Sequence, residues 1–315
     1  MAGNARLTRD LHEAQTAGGM VFAWIDEWWK RTWIVDERTL PRERYRLWHN
    51  LTSPEENFGL VAFELPEIRY QEMARSEQAV RKVETYADAA YFRVRLTLDE
   101  PPGDQSLVVG FDTYADDLGD TVLPGGIRTQ RRNEFALTLN ATNQARLMVT
   151  QAYDLYGIWH NTSGPLQLFQ STATQGKGWV VERWQNGQRT TSRDGSMVFP
   201  ATSFEIGQLS LQQSGEPFES HDAVTINGTQ VELRLPWVML QFTDPSTRSV
   251  MHDNRKTAGR ETRTSDGIAL SVAFKDTLIE TQRYTWPTWD QPPEVTQRFK
   301  AGVDTLAATL NQLPD

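Results

Sequence analysis

Apolar positions along this chain keep a period of two over most of its length and take a helical period only near the two ends. In "YFRVRLTL", Phe92, Val94, Leu96 and Leu98 alternate with Tyr91, Arg93, Arg95 and Thr97. That is the pattern of a strand with one face in a core. "SLVVGFDTY", "EFALTLN", "ARLMVTQAY", "GWVVERW", "SFEIGQLSL", "AVTIN", "QVELRLPW" and "IALSVAF" continue the series. Asn227-Gly228 falls between two of these segments and predicts a type I′ hairpin turn, which needs positive φ at both central residues. No amphipathic helix interrupts the run from about residue 85 to 285. The pattern therefore predicts a mainly β protein built on an antiparallel β-sandwich.

Near the N-terminus, Leu7, Leu11 and Ala14 share one face of a helix that Gly18-Gly19 ends. Met20 to Trp24 then reads as a short buried strand, and "LPRERYRLWHNLTSPEENFGLVAFE" as a long covering loop with aromatic anchors. At the other end, Phe299, Val303, Leu306, Leu310 and Leu313 recur at four-three-four-three spacing after Pro292-Pro293, the stripe of a C-terminal amphipathic helix. The expected organisation is residues 1–65 as helix, strand and covering loop, 66–285 as the sandwich, and 286–315 as a tail carrying the last helix. The first part is too small to fold alone.

Charge and composition narrow the function classes. The 315 residues carry a net charge of -9 with no strongly basic cluster, which argues against a nucleic-acid partner. Cysteine is absent, so disulfides, thiolate metal sites and cysteine nucleophiles are excluded. No apolar run approaches the ~20 residues of a membrane span, so membrane insertion is not expected. "MAGNARLTRDLHEAQ" lacks the apolar core of a secretory signal. Export to the exterior or cell envelope would rely on a signal outside this chain; otherwise the location is cytoplasmic. The five histidines have no ligand spacing, "NTSGP" around Ser163 is no nucleophile elbow, and neither "PGG" nor "GKG" is a phosphate-binding fingerprint.

Chemistry concentrates in "GGMVFAWIDEWWKRTW", where Trp24, Trp28, Trp29 and Trp33 surround the pair Asp26-Glu27. As a functional site this is a carboxylate subsite flanked by rings on which sugars stack. As plain packing, one carboxylate pairs with Lys30 or Arg31 and the rings lie under the covering loop. Adjacent strand residues point to opposite faces, so Asp26 and Glu27 do not make a glycosidase acid–base pair by themselves. Trp159 and Trp179 are further candidates for a glycan platform; Trp184, five residues from Trp179, faces the other way in a strand, and core packing is the competing role for each. In "FDTYADDLGD", Asp112, Asp116, Asp117 and Asp120 crowd a loop of the kind calcium favours, without the EF-hand spacing, and an acidic loop is also simply well solvated. Glu134 is placed to face the same end of the sandwich.

Four segments together carry a family resemblance: Gly19 to Trp33, "NFGLVAFE", "VELRLPWVMLQFTDP" and "YTWPTWDQP". They resemble the C-terminal region of large bacterial glycoside-hydrolase-like proteins, in which a (β/α)8 barrel precedes a β-sandwich similar to family-9 carbohydrate-binding modules and DOMON domains. The resemblance implies that Met20 to Trp24 is the last strand of such a barrel, with Asp26, Glu27 and Trp28 just beyond its C-terminal end, where barrel active sites lie. It also implies a polysaccharide or oligosaccharide as ligand. Only about 30 residues here fit a barrel that takes about 200–250. The expectation is thus an accessory module that is non-catalytic by itself, next to a barrel encoded upstream or covered by self-association. The alternative is a glycoside hydrolase, or a fragment of one, acting through Asp26 or Glu27.

Overall fold

A computed structural model describes residues 2–30, 39–49, 55–103, 105–114, 117–140, 144–155, 178–187, 189–200, 202–212, 222–254 and 260–313. The chain opens with helix α1 (Ala2–Glu13), strand β1 (Ala23–Ile25), a 3-10 turn at Arg42–Leu47 and strand β2 (Gly59–Glu64). Then come β3 (Gln71–Arg75), β4 (Val80–Ala87), β5 (Tyr91–Leu98), β6 (Leu107–Asp112), β7 (Asp120–Leu123), β8 (Ile127–Asn133), β9 (Phe135–Leu139) and β10 (Ala145–Thr150). Short strands follow: β11 (Trp179–Val181), β12 (Trp184–Gly187), β13 (Thr190–Thr191), β14 (Val198–Phe199), β15 (Thr202–Phe204) and β16 (Gln208–Leu211). The rest is β17 (Asp222–Asn227), β18 (Gln230–Pro236), β19 (Phe242–Asp244), β20 (Ser249–His252), β21 (Glu261–Thr264), β22 (Ala269–Phe274), β23 (Thr277–Glu280), β24 (Thr296–Phe299) and α2 (Val303–Gln312).

The protein is mainly β. Its principal sheet runs β23-β22-β6-β9-β10-β16-β17-β18-β5-β4-β3, with β11 also paired to β10. Every pairing in it is antiparallel except β16 with β17. The sheet curls until its ends nearly meet, and Ala79 N–H at the start of β4 donates to Thr277 Oγ1 of β23 at 3.1 Å. The result is a nearly closed, barrel-like wall around one core of Phe92, Phe111, Phe135, Tyr153, Trp237, Phe242 and Trp286. In β5 the alternation read from sequence is realised residue by residue, with Phe92, Val94, Leu96 and Leu98 buried. Strands β6 and β22 are buried throughout, because the β7–β8 hairpin covers the outer face with Leu123 and Ile127 against Val108, Ala136 and Ala273.

Four expectations are corrected. The predicted buried strand Met20–Trp24 shrinks to β1, and Met20 is 98% exposed, with Phe22 and Trp24 also largely open. Among the described residues β1 pairs only with β2, in parallel. The β17–β18 turn is one residue later than the Asn-Gly rule places it. Asn227 pairs with Gln230, and Gly228 takes positive φ at the first central position, the type II′ requirement. Phe299 lies in β24, antiparallel to β2, not in the last helix, because Gly302 in the left-handed region separates strand from α2. Finally, the α1 face is only partly used: Ala5 is buried while Leu7 and Leu11 remain open.

Arg44 ties the N-terminal part to the end of β19 and to the segment that follows β23. Its guanidinium bonds Asp244 at 2.8 Å, Asp290 at 2.7 Å, Ser246 Oγ at 2.8 Å and the Trp289 carbonyl at 2.9 Å. Trp286 and Trp289, beyond the expected boundary at residue 285, also belong to this body: Trp286 lies in the core and Trp289 packs against it, Nε1 bonded to the Leu47 carbonyl.

Candidate functional site

β1 delivers Asp26 to the inner edge of the small β1-β2-β24 sheet. Gly59 opposite has no side chain, and a Cβ there would collide with the Ile25 backbone, so the two strands can approach. Asp26 Oδ1 accepts from Gly59 N–H at 3.0 Å and from Lys300 Nζ at 2.6 Å. Lys300 also reaches the Asn57 carbonyl at 2.7 Å. Glu27 turns the other way and pairs with Lys30 at 3.0 Å, and Lys30 pairs in turn with Glu55 at 3.3 Å. The Glu27 bond raises the Lys30 pKa against the opposing effect of burial. Both predicted catalytic carboxylates are therefore engaged by lysines.

Beside them lies a carboxyl that the sequence reading did not single out. Glu56 is almost fully buried, and its pKa is pushed up to about 9, first by burial and then by the negative charge of Asp26. Its backbone carbonyl accepts Glu27 N–H at 2.9 Å, and its Oε2 has no hydrogen-bond partner. His49 is similar. Burial holds it down at about 4 despite Asp88, its Nε2 is unpartnered, and its ring stacks on Trp28 at 5.5 Å. "TSPEEN" reads as a solvated run, so nothing in its composition signals a buried neutral glutamic acid.

The tryptophans divide. Trp28 and Trp29 are half-buried, edge to face at 4.6 Å, and Trp28 also packs on Phe63 and donates to the Arg46 carbonyl at 3.3 Å. Trp24 is 64% exposed and touches Phe299 edge to face. Trp179 is half-buried on the outer face of the wall and donates to the Val122 carbonyl at 2.9 Å. Trp33 and Trp159 lie outside the described residues.

Of the calcium candidates, Asp112 Oδ2 is 2.6 Å from Arg283 and 3.8 Å from Arg131, Asp120 Oδ1 caps Val122 N–H at 2.9 Å, and Asp117 is exposed. Asp116 lies outside the described residues. Among the described residues no three acidic or histidine side chains converge as a metal site. Glu134, fully buried, accepts from Thr113 N–H at 2.5 Å and Thr113 Oγ1 at 3.0 Å, and burial followed by the charge of Asp112 raises its pKa.

A surface opening borders β1. It is a groove of about 1110 Å3 between α1, α2 and the segment 16–22, with Leu7, Leu11, Phe22, Phe58 and Leu310 in its walls. Lys300, already paired with Asp26, is among the residues lining it. No family model, no curated protein and no solved structure matches the chain.

Proposed function

We propose that the chain is a non-catalytic accessory module that binds carbohydrate, attached to a glycoside-hydrolase-like protein. In this reading the curled wall is a sandwich of the family-9 carbohydrate-binding kind, and α1 with β1 is the end of a (β/α)8 barrel. One observation carries it: Asp26 and Glu27 are both held by lysines while Trp24, next to them, presents an open ring. A pyranose C–H face lies flat on such a ring, and binding needs no free acid. Affinity electrophoresis through polysaccharide-loaded gels tests it. The expected result is retardation by at least one glycan that is lost in Trp24→Ala; migration unaffected by every glycan would reject the reading.

A second reading, a glycoside hydrolase acting through Asp26 and Glu27, is favoured by one feature. Neutral Glu56 beside Asp26 resembles the split pair of carboxyl groups that glycosidases use. Turnover of a polysaccharide that disappears in Glu27→Gln would favour it over the accessory module.

A further inference from the structure

The chain has two Asn-Gly steps, Asn186-Gly187 and Asn227-Gly228, and the fold holds them differently. Gly187 lies in β12, paired with Thr202 of β15. Gly228 belongs to no strand; it follows Asn227, whose pair with Gln230 is the last of the β17–β18 ladder, and it has positive φ. Asn227 is exposed, and among the described residues its carboxamide makes no hydrogen bond. By contrast, Asn57, Asn133, Asn140 and Asn254 each bond a neighbour through the side chain.

An asparagine side chain carries an electrophilic carbon, Cγ, that closes a five-membered ring when the main-chain nitrogen of the next residue reaches it. In most sequences the following side chain hinders that approach; glycine has none. A Cβ placed on Gly228 would meet no atom within 4 Å, so the turn does not crowd the ring from outside either. An extended residue holds Cγ and the next nitrogen apart, and the attack waits for rotation about ψ of Asn227. That rotation breaks only the last pair of the hairpin, at a tip where local opening takes the least free energy.

We propose that Asn227 is a site of spontaneous deamidation. The Gly228 nitrogen gives up its proton to solvent and bonds to Asn227 Cγ, while the bond from Cγ to the side-chain nitrogen breaks and ammonia leaves. Water then opens the succinimide. Opening at Cγ gives aspartate, and opening at the main-chain carbonyl gives isoaspartate. The net change is amide plus water to carboxylic acid plus ammonia, with no oxidation or reduction. Isoaspartate adds a methylene group to the main chain of a two-residue turn, so the pair with Gln230 is lost. Thr229, whose carbonyl accepts Leu98 N–H at 2.9 Å, moves with it, and the change reaches the end of β5.

Ageing the full chain in oxygen-labelled water, followed by peptide mapping with mass spectrometry, tests it in the folded state and again in urea. Each conversion at Asn227 adds one labelled oxygen, and fragmentation separates aspartate from isoaspartate. The expected result is conversion in the folded chain at a rate within about a hundredfold of that in urea, the span that fraying of one terminal pair allows. Gly228→Ala, compared in urea so that the fold plays no part, should react at least about tenfold more slowly, a difference of about 1.4 kcal/mol at the barrier. An Asn227 that stays intact in the folded chain, or falls further behind than a hundredfold, would overturn the proposal, as would a smaller effect of Gly228→Ala.

Discussion

Lys300 Nζ sits 2.6 Å from Asp26 Oδ1, joining residues 274 apart in sequence. This pair closes the small sheet. β1 and β24 both pair with β2, and the lysine that follows β24 neutralises the aspartate that follows β1.

Lys300→Met is expected to lower stability by about 1.5–3 kcal/mol, the range for a hydrogen bond to a charged group. The loss should shrink sharply in an Asp26→Asn background, because the two side chains act as one unit. Chemical denaturation of the four proteins of this cycle measures the coupling. Additive losses would mean that the lysine acts elsewhere.

Stability should fall as pH rises between about 4.5 and about 9 through Glu56. The folded chain holds this proton up to about 9, whereas an ordinary glutamate releases it near 4.5, so the unfolded chain binds fewer protons across that window. Glu56→Gln removes the dependence. Its melting temperature should match wild type at the acid end and exceed it at the alkaline end. His49 acts in the opposite sense between 6.5 and about 4, where the unfolded chain binds the extra proton and stability is lost as pH falls. Melting profiles that stay parallel in wild type and Glu56→Gln would contradict a buried neutral acid.

Arg44→Ala should cost about 3–5 kcal/mol, the range for stripping one partner from a buried ion pair. Asp244 is wholly buried and keeps only neutral donors from Ser246 and Thr247. Tryptophan fluorescence should also shift to the red, because Trp289 loses the guanidinium that holds its backbone. A near-wild-type melting temperature would show that the hydroxyl groups suffice.

Gly267→Ala and Gly126→Ala separate backbone strain from collision. Both glycines have positive φ, but a Cβ at Gly126 meets open space while one at Gly267 strikes the Tyr284 carbonyl beside the Ile268–Tyr284 bridge. Gly126→Ala should cost about 1–2 kcal/mol and Gly267→Ala distinctly more. Equal thermal shifts would argue that the bridge yields.

The β character was legible wherever one face of a strand meets the core and the other meets solvent, as in β5. It was hidden in β3, β8 and β21, which carry Arg, Gln, Glu and Thr at successive positions because they pair at a periphery. The curling of the wall left no local mark, since it depends on Ala79 meeting Thr277. The aromatic cluster was visible, but its division was not. Trp28 is claimed by His49 and Phe63, two residues remote in sequence, while Trp24 meets the ring of Phe299. Pairing of one of the two carboxylates with Lys30 or Arg31 was expected, and Glu27 makes it with Lys30; the partner of Asp26, a lysine at the far end of the chain, cannot be picked out by spacing.

The ladder between β5 and β18 carries a consequence for how the chain is made. It joins Arg95 to Glu232 over 137 residues, and β6 waits for β22 from still farther along. Loops of that length are costly to close, so folding is slow compared with a helical protein of similar size. During synthesis β5 can zip onto β4, but its other edge stays bare until residues 230–236 emerge from the ribosome. The apolar face of Phe92, Val94 and Leu96 is then without its lid for the time needed to translate more than a hundred codons. That interval is when this protein is most exposed to aggregation and has the greatest need of a chaperone.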